Sequence, residues 1–513
     1  MTNHLFDGLF SDVAPQATLA VLPQGGEWTY ADALEYSARL ANVLISYGLE
    51  PGDRVAVRVP KSIEAVLLYI ACVRMGAVFL PLNTAYTGSE VSYFVSDSGA
   101  SLLVCNPADR TSYSDLALDN NCRLETLGTS ADTGLAVGSL IDATGQAEPS
   151  FENVDRRASD LAAILYTSGT TGRSKGAMLS HENLLSNSQA LKELWQFSKS
   201  DVLLHALPIF HTHGLFVAVN VTLLSGGSMI FMSGFNLDAM IEQLPNSTSL
   251  MGVPTFYTRL LDDPRFTRQL VAHMRLFVSG SAPLLAETHI QFEETTGHRV
   301  LERYGMTETN MNTSNPYEGE RRAGTVGFPL PGVVVRISDP DTGKQLVAAP
   351  NNAGTGVGMI EISGPNVFSG YWNMPEKTAS EFRDDGYFIT GDLGKIDADG
   401  YLHIVGRSKD LIISGGLNIY PKEIELVIDD QAGVLESAVV GVPHPDFGEA
   451  VVAVVVASGD ELNSDILAEE IKPLLARFKQ PKLIKIVDEL PRNTMGKVQK
   501  NVLRTHLKDR FSA

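Results

Sequence analysis

The chain has 513 residues, of which 44% are apolar and 19% are charged. A chain of this length is too long for a single hydrophobic core of ordinary size, so we expect at least two packed units. The formal net charge of −20 argues against a general nucleic-acid or membrane-surface binder, because such proteins need a broad positive field. No apolar run approaches the roughly 18 residues that a membrane span requires.

The amino-terminal segment and the cysteines bear on the compartment. The first 38 residues contain no Lys or Arg, whereas a secretory signal or an organelle transit peptide needs basic residues there. Cys72, Cys105 and Cys122 are too few and too irregularly spaced for a disulfide framework or a zinc cluster, so they are expected to be buried. We therefore expect a cytoplasmic protein, and the sequence leaves both a monomer and a homodimer open.

The first two thirds of the chain alternate apolar β-rich segments with helical patterns. The β-rich segments include 54–59, 101–105 and 275–279, and 63–75 has a helical pattern. This alternation predicts layered α/β structure with largely parallel sheets.

The later part of the chain changes character twice. Residues 324–405 combine short β-rich segments with many glycines and turn pairs, which predicts an antiparallel β-rich subdomain. A charged connector follows at 406–410, and the last hundred residues suffice for a small α+β domain that includes a helix at 464–476. We therefore predict two domains, 1–408 and 409–513, in an α/β protein.

A glycine-rich stretch, YTSGTTGRSKG at 166–176, follows an apolar segment at 161–165. A turn of this kind can point successive backbone N–H groups at phosphate oxygens, and Lys175 would add a mobile charge. The spacing does not fit a Walker P-loop, because Ser174 stands where the second glycine should be. A flexible surface loop is the alternative.

The stretch resembles the signature of the adenylate-forming superfamily, which comprises acyl-CoA synthetases, adenylation domains of peptide synthetases and firefly luciferases. The resemblance continues in the family's order from Trp28-Thr-Tyr30 to Gly496-Lys497. It implies that ATP and coenzyme A are co-substrates and that Mg²⁺ is a cofactor. It also implies a small mobile C-terminal domain. It also implies that the loop holds the β- and γ-phosphates of ATP through Thr167, Ser168, Gly169, Thr170, Thr171 and Lys175.

Further short motifs match the family's nucleotide site. The segment 279–283 resembles its adenine-site turn, and 304–308 resembles its adenylate and magnesium motif. The resemblance implies that Thr307 faces the α-phosphate, that Glu308 helps to hold Mg²⁺, and that Asp392 and Arg407 bind the ribose hydroxyls. The other residues so implied for the nucleotide are Gly280, Ser281, Ala282, Pro283, Tyr304, Gly305 and Met306.

The C-terminal region matches the family's mobile elements. Lys497 matches the lysine that bridges the substrate carboxylate and the nucleotide, although a solvated lysine is the simpler interpretation of that position alone. Lys409 falls at the family's hinge, for which a plain linker is the alternative. The resemblance implies that Gly415 and Gly416 let the pantetheine arm pass close to the backbone.

Three histidines lie close together in HALPIFHTH, at positions 205, 211 and 213. A zinc site is one hypothesis, but neither a cysteine nor a carboxylate lies nearby in sequence as a further ligand. The family resemblance implies that His211 lines the acyl site and gates the path to the thiol. Ordinary packing remains open for His205 and His213.

Two arginines bear on the acid that is activated. Arg303 shares a strand face with Leu301 and is expected to point inward, and Arg259 follows Thr255 by one turn if that segment is helical. A buried guanidinium needs a partner, and a second substrate carboxylate provides one with bidentate geometry. An internal ion pair, for example with Glu302, is the alternative.

Segments 252–259, 302–314 and 211–216 are similar to those of malonyl-CoA synthetases. This resemblance implies that Arg259, Ser281 and Arg303 bind the distal carboxylate of malonate, with Met306 beside C2. It implies a ligase that makes malonyl-CoA, with tolerance of methylmalonate left open. Another short-chain or dicarboxylate CoA ligase, and a catalytically silent adenylate-binding regulator, are the alternatives.

Overall fold

The computed structural model describes residues 2–130, 133–167, 174–347, 354–414, 417–459, 462–493 and 496–511. The chain forms two compact units. The first comprises Met1–Ala323, Pro329–Val334 and Ile362–Phe388, and the second comprises Gly324–Phe328, Val335–Glu361 and Ile389–Ala513. The predicted domain boundary between residues 408 and 409 concerns which part of the chain moves, and it stays a prediction.

The larger sheet of the first unit is mainly parallel. In sheet order its strands include Asn310–Ser314, Leu301–Met306, Leu276–Ser279, Ser249–Gly252, Val202–His205, Ser228–Phe231, Thr18–Val21 and Glu27–Thr29. Pairing is parallel from the second to the seventh of these strands and antiparallel at both ends. Its central strands are continuous buried apolar runs, as expected when both faces of a parallel sheet are covered.

The second sheet of this unit carries the glycine-rich stretch at its edge. In sheet order its strands are Lys175–Ser180, Leu161–Thr167, Val78–Pro81, Arg54–Arg58, Leu102–Cys105 and Arg123–Thr126. The first pair is antiparallel and the others are parallel. Short strands also occur at Gly128–Thr129, Ala136–Val137 and Phe328–Pro329.

Helices separate these strands along the first unit. The α-helices are His4–Leu9, Tyr30–Ser46, Ile63–Met75, Gly88–Ser98, Arg110–Asp119, Ser139–Thr144, His181–Leu194, Asn220–Ser225, Leu237–Gln243, Pro254–Leu261, Arg268–Val271, Ala286–Thr296 and Pro375–Ser380. A π-helix covers His213–Val219, and 3₁₀ turns cover Pro107–Asp109 and Leu244–Asn246.

The helix Ile63–Met75 illustrates how local sequence sets these bounds. Ser62 caps its start by accepting from the Ala65 N–H, and Gly76 ends it in the left-handed conformation at φ 78°. Apart from Glu64 and Arg74 it carries no charged residue, and all of its side chains except Glu64 are buried, which is the pattern of a core helix rather than an amphipathic surface helix.

The second unit contains two further sheets. A four-stranded sheet runs in the order Val334–Ser338, Gly358–Ser363, Phe388–Ile396 and Leu402–Arg407. A five-stranded sheet contains Leu417–Ile419, Ile412–Ser414, Gly448–Ala457, Val434–His444 and Leu483–Val487. Its helices are Pro421–Asp429, Ser464–Ile471 and Lys500–Leu507, and a 3₁₀ turn covers Ser408–Asp410.

The predicted fold class is confirmed: layered α/β structure in the larger unit, and a β-rich sheet and an α+β part in the smaller. Within the described ranges, no helix combines the length and the apolarity needed to cross a bilayer.

Candidate active site

Most of the predicted acyl-site residues follow the carboxyl ends of neighbouring parallel strands. The strands Val202–His205, Leu276–Ser279 and Leu301–Met306 belong to one sheet and run in the same direction. Ligands of open α/β sheets bind beyond this edge, where loops from several strands converge. The fold thus brings Ser281, the histidine segment and Arg303 to one side of the first unit.

Arg303 is buried, with 4% of its surface exposed. Its Nε and Nη2 atoms find no hydrogen-bond acceptor among the described residues, and burial lowers the pKa of its guanidinium to about 9. A methyl group built on Gly280 would stand 2.4 Å from its Cζ atom, so only glycine leaves room for it there. The inward position predicted from strand alternation is confirmed.

Glu302 does not share this environment. Adjacent strand residues point to opposite faces, and the Oε1 atom of Glu302 lies 3.3 Å from Nδ1 of His289. The pKa of Arg303 is governed by burial, with Tyr257 as the other contributor. The ion pair between Arg303 and Glu302 that the sequence left open therefore does not account for the arginine.

Ser281 follows the strand Leu276–Ser279 and has an unusual backbone conformation. Its φ of 71° lies in the left-handed region, which is unusual for serine and recurs at functional sites. Its Oγ atom lies 3.3 Å from Nδ1 of the buried His213. Burial, and then the nearby Arg303, hold the pKa of His213 well below its ordinary range. Ser281, His213 and Arg303 thus form one cluster with a neutral imidazole.

The histidine segment is anchored by a lysine that the sequence analysis missed. Lys61 Nζ lies 2.8 Å from both Nδ1 and the carbonyl oxygen of His205, and His205 Nε2 lies 2.8 Å from the carbonyl oxygen of Gly214. Because both nitrogens of His205 are engaged, this side chain is not available to a metal ion. Gly214 belongs to the π-helix His213–Val219, a rare element that often marks functional sites.

A signal for Lys61 was present in the sequence. It is a lone lysine between a buried strand and the core helix Ile63–Met75. Burial lowers its pKa well below the ordinary lysine range. A charged residue at such a junction could have been selected as a candidate, but its histidine partner is remote in sequence.

Arg259 and His211, which were also predicted for the acyl site, are less buried than Arg303. Arg259 lies on the predicted helix, Pro254–Leu261, but it is exposed, and its guanidinium is 5.4 Å from the ring centroid of Phe235. His211 is half-buried beside Phe210, with ring centroids 4.4 Å apart. Their roles toward substrate stay predictions.

The glycine-rich stretch joins two paired strands. Thr167 and Lys175 are opposite each other in the antiparallel ladder, so the strands bring together the two ends of the loop. Ser168, Gly169, Thr170 and Thr171 lie outside the described residues. Lys175 Nζ stands 4.2 Å from the ring centroid of Tyr371 and 3.8 Å from Glu381 Oε1.

The predicted adenylate and magnesium motif forms a hairpin. The strands Leu301–Met306 and Asn310–Ser314 are antiparallel, so Thr307 and Glu308 lie in the turn between them. Tyr304 is buried on the first strand, and Gly305 is packed so closely that a methyl group there would lie 2.0 Å from the Asn310 carbonyl oxygen.

Glu308 is also buried, with 6% exposed, and it accepts a hydrogen bond of 3.0 Å from the hydroxyl of Tyr371. An oxygen ligand on a short turn suits Mg²⁺, which binds few protein carboxylates and completes its shell with phosphate oxygens and water. No cluster of three His, Cys, Asp or Glu side chains suited to a metal occurs in the described part of the chain.

The predicted ribose ligands are paired in the second unit. Asp392 and Arg407 are opposite each other on antiparallel strands, and Arg407 Nε lies 2.5 Å from Asp392 Oδ1. Asp392 is 4% exposed. Lys409 follows in the 3₁₀ turn Ser408–Asp410, where burial lowers its pKa. This region therefore presents a fixed carboxylate beside the predicted hinge.

Lys497 is exposed, and its backbone is bonded to that of Asn493. The Asn493 N–H donates to the Lys497 carbonyl oxygen at 2.9 Å, and the Lys497 N–H donates to Asn493 Oδ1 at 3.0 Å. Gly496 supplies the left-handed residue at φ 73°. Gly415 and Gly416, predicted to pass the pantetheine arm, lie outside the described residues.

Comparison with known proteins gives a consistent result. The family model described as AMP-binding enzyme matches residues 11–372, and the model described as AMP-binding enzyme C-terminal domain matches residues 423–497. The crystal structure of ATP-bound MatB from Rhodopseudomonas palustris is 56% identical over all of both chains, with a TM-score of 0.96.

Two curated relatives add substrate names. A malonate–CoA ligase of Arabidopsis thaliana is 32% identical over 98% of this chain and 89% of its own length. A feruloyl-CoA synthase of an Amycolatopsis species is 35% identical over 96% of each chain. Identity alone therefore does not choose between these two acids.

Proposed function

Because the chain belongs to the AMP-binding enzyme family, we propose that it is a malonate–CoA ligase that forms malonyl-AMP from malonate and ATP. In the first step a malonate oxygen attacks the α-phosphorus, and the bond to the β-phosphate breaks to release pyrophosphate. In the second step the thiolate of coenzyme A, whose proton has passed to solvent, attacks the acyl carbon, and the bond from that carbon to the phosphate oxygen breaks to release AMP.

The first step needs positive charge and donors around the phosphates, because negative charge shifts toward the leaving pyrophosphate. Lys175 and the loop beside it would bind the β- and γ-phosphates. Thr307, in the hairpin turn, would face the α-phosphate. Lys497 would bridge the substrate carboxylate and the nucleotide. These roles, and movement of residues 409–513 between the two steps, are parts of the proposal.

Mg²⁺ would be held by Glu308 together with phosphate oxygens, and when bound it would neutralise charge on the phosphates. The chain contributes the carboxylate and the hydrogen bond from Tyr371 that orients it. Asp392 would accept hydrogen bonds from the ribose hydroxyls.

The observation that carries the choice of acid is the buried Arg303, whose Nε and Nη2 atoms have no acceptor among the described residues. A desolvated guanidinium without an acceptor is costly, and a second substrate carboxylate would satisfy it through a bidentate pair. Ser281 and Arg259 would complete the contact. A feruloyl group carries no second carboxylate, so the buried Arg303 favours malonate over ferulate as the substrate.

A silent nucleotide-binding regulator is the other class of function. Such a protein has no need of a lysine that activates a carboxylate, yet Lys497 is present and exposed, with its backbone bonded to Asn493. The proposed enzyme would act in the cytoplasm, as expected from the sequence, and its oligomeric state stays open between monomer and homodimer.

The test measures AMP release with ATP, Mg²⁺ and coenzyme A for malonate, methylmalonate, succinate, acetate, hexanoate and ferulate. We expect malonate to have the highest kcat/KM. Arg303→Met should lower that value at least about a hundredfold, because removing one partner of a buried charge pair costs several kcal/mol. Arg299→Met, at an exposed arginine paired with Glu293, is the matched control.

Preference for acetate, hexanoate or ferulate would overturn the dicarboxylate pocket while leaving the ligase chemistry intact. Turnover of none of the acids by a folded protein that binds ATP would favour the regulator.

A further inference from the structure

One short segment of the first unit is bonded to both the phosphate-side strand and the turn that carries Glu308. The Trp372 N–H donates to the Gly176 carbonyl oxygen at 2.8 Å, and Met178 N–H donates to the Gly370 carbonyl oxygen at 3.0 Å. On the other side, the Phe368 N–H donates to the Glu308 carbonyl oxygen at 2.8 Å. Residues 368–372 therefore fix the distance between the two backbones.

Tyr371 repeats this connection with its side chain. The Lys175 ammonium stands over its ring, 4.2 Å from the centroid, and its hydroxyl donates to Glu308 Oε1 at 3.0 Å. Only 3% of Tyr371 is exposed, and its own N–H donates to Thr378 Oγ1 at 2.9 Å. The ring is thus held in one place between a cation and a carboxylate that are 133 positions apart in sequence.

We propose that Tyr371 is a positioning residue for the first half-reaction: it sets Glu308 to receive Mg²⁺ and holds Lys175 ready for the phosphates of ATP. This inference rests on the proposed nucleotide chemistry, but it does not depend on which acid is activated. None of the sequence motifs discussed above includes this tyrosine.

The physical argument concerns what each half of the side chain supplies. The aromatic face attracts an ammonium group without neutralising it, so Lys175 can leave the ring for a phosphate at modest cost. The hydroxyl supplies a hydrogen bond to a charged acceptor, which is stronger and more directional than one between neutral groups. A metal ligand held by such a bond loses less freedom when the ion arrives.

Glu381 is a second partner for Lys175, and it competes with the neutral ring of Tyr371. Its carboxylate lies 3.8 Å from Lys175 and also pairs with Lys377. Without the ring, we expect Lys175 to move toward Glu381 and away from the phosphate loop. The two halves of Tyr371 can therefore be tested separately, since phenylalanine retains the ring and leucine retains neither function.

The experiment measures ATP binding by calorimetry on the full chain over a range of Mg²⁺ concentrations, together with malonate-dependent exchange of pyrophosphate into ATP. For Tyr371→Phe we expect the Mg²⁺ concentration at half-saturation to rise at least about fivefold, with the KM for malonate changing less than twofold. For Tyr371→Leu we expect an additional rise of at least about fivefold in the Kd for ATP measured at saturating Mg²⁺.

Tyr30→Phe is the matched control. Tyr30 is fully buried in the same unit and its hydroxyl also donates a hydrogen bond, of 2.8 Å, to the carbonyl oxygen of Gly227. Thermal unfolding of all three variants checks that they fold. A Tyr371→Phe protein whose Mg²⁺ dependence equals that of Tyr30→Phe would overturn the inference.

The calorimetric measurement keeps the two hypotheses apart. If no acid supports exchange, the proposed ligase activity fails, but the Mg²⁺ dependence of ATP binding still decides the role of Tyr371. If malonate supports exchange and the Tyr371→Phe protein keeps the Mg²⁺ dependence of the unsubstituted protein, the positioning role fails and the ligase stands.

Discussion

At the residue scale, the position of the Arg303 guanidinium depends on a close approach to Gly280. A Gly280→Ala methyl group would lie 2.4 Å from the guanidinium carbon, so the arginine must shift. We expect the KM for malonate to rise at least tenfold, since misplacing a bidentate donor removes about 1.4 kcal/mol or more of binding.

Gly234→Ala is the control for this substitution, because a methyl group there meets nothing within 4 Å. Steady-state kinetics at saturating ATP measure the effect. An unchanged KM for malonate in the Gly280→Ala protein would show that Arg303 does not set malonate affinity.

Residues differed in how well the sequence predicted them. Arg303 was predictable, because strand alternation places it on the same face as the buried Leu301. Lys61 could have been selected as a lone lysine between a strand and a core helix, but its partner His205 is remote in sequence. Tyr371 was not predictable, because its partners Lys175 and Glu308 come from distant parts of the chain. Arg259 was placed on the right helix, but sequence pattern could not show that its side chain would be exposed beside Phe235.

At the element scale, an arginine contacts the residue that precedes Lys497. Arg492 donates through Nη1 to the Gly496 carbonyl oxygen at 2.6 Å and pairs through Nη2 with Glu436. Arg492→Met should loosen the segment that carries Lys497 and lower adenylation about tenfold, as expected when about 1.4 kcal/mol of positioning is lost.

The second half-reaction provides the internal control for Arg492→Met. Thioester formation from preformed malonyl-AMP should keep its rate, because it does not use Lys497 in the proposed mechanism. Arg477→Met, at an exposed arginine of the same unit, should change neither rate. Equal losses in both half-reactions would contradict a role confined to the segment that carries Lys497.

The bounds of elements followed local signals where these were strong. The helix predicted at 63–75 occurs as Ile63–Met75, because Ser62 and Gly76 mark its ends. The helix predicted at 464–476 ends earlier, at Ile471, where the Gln480 amide donates to the Lys472 and Leu475 carbonyl oxygens. Gln480 lies beyond the helix in sequence, so these hydrogen bonds correspond to no periodic pattern from which the end of the helix could be predicted.

At the scale of the whole molecule, the pH dependence of stability includes a contribution from Asp429 in the second unit. Burial raises its pKa to about 6, although Lys422 lies 3.8 Å away and the Ser437 hydroxyl donates to it at 2.6 Å. A folded pKa above the unfolded value means that the native state binds more protons in this window. The stabilising contribution is therefore present below about pH 4 and is lost as the pH rises through about 6.

Asp429→Asn should remove that dependence. Relative to the unsubstituted protein, the variant should gain on the order of 2 kcal/mol between pH 4 and pH 7.5, read as a rising difference in unfolding temperature. A difference in unfolding temperature that stays constant over this pH range would contradict the raised pKa of Asp429.

The fold class of the whole molecule was predictable, but its sheet orders were not. Alternating β-rich and helical segments identified α/β layers, because that periodicity is local. The order of strands in the larger sheet, with Val202–His205 between Ser249–Gly252 and Ser228–Phe231, depends on pairings remote in sequence. For the same reason, local signals could not show that the two compact units are interleaved in sequence.

The position of Arg303 inside a strand has a consequence for how this enzyme could diverge. The backbone of that strand pairs with its neighbours through N–H and C=O groups, which any residue supplies. In the proposed site, the charge that would select the acid belongs instead to side chains such as Arg303. A lineage could therefore exchange a dicarboxylic acid for an apolar one by substituting this codon and enlarging the pocket, with the nucleotide machinery inherited intact. In such a lineage the substrate specificity could change while the fold stayed the same.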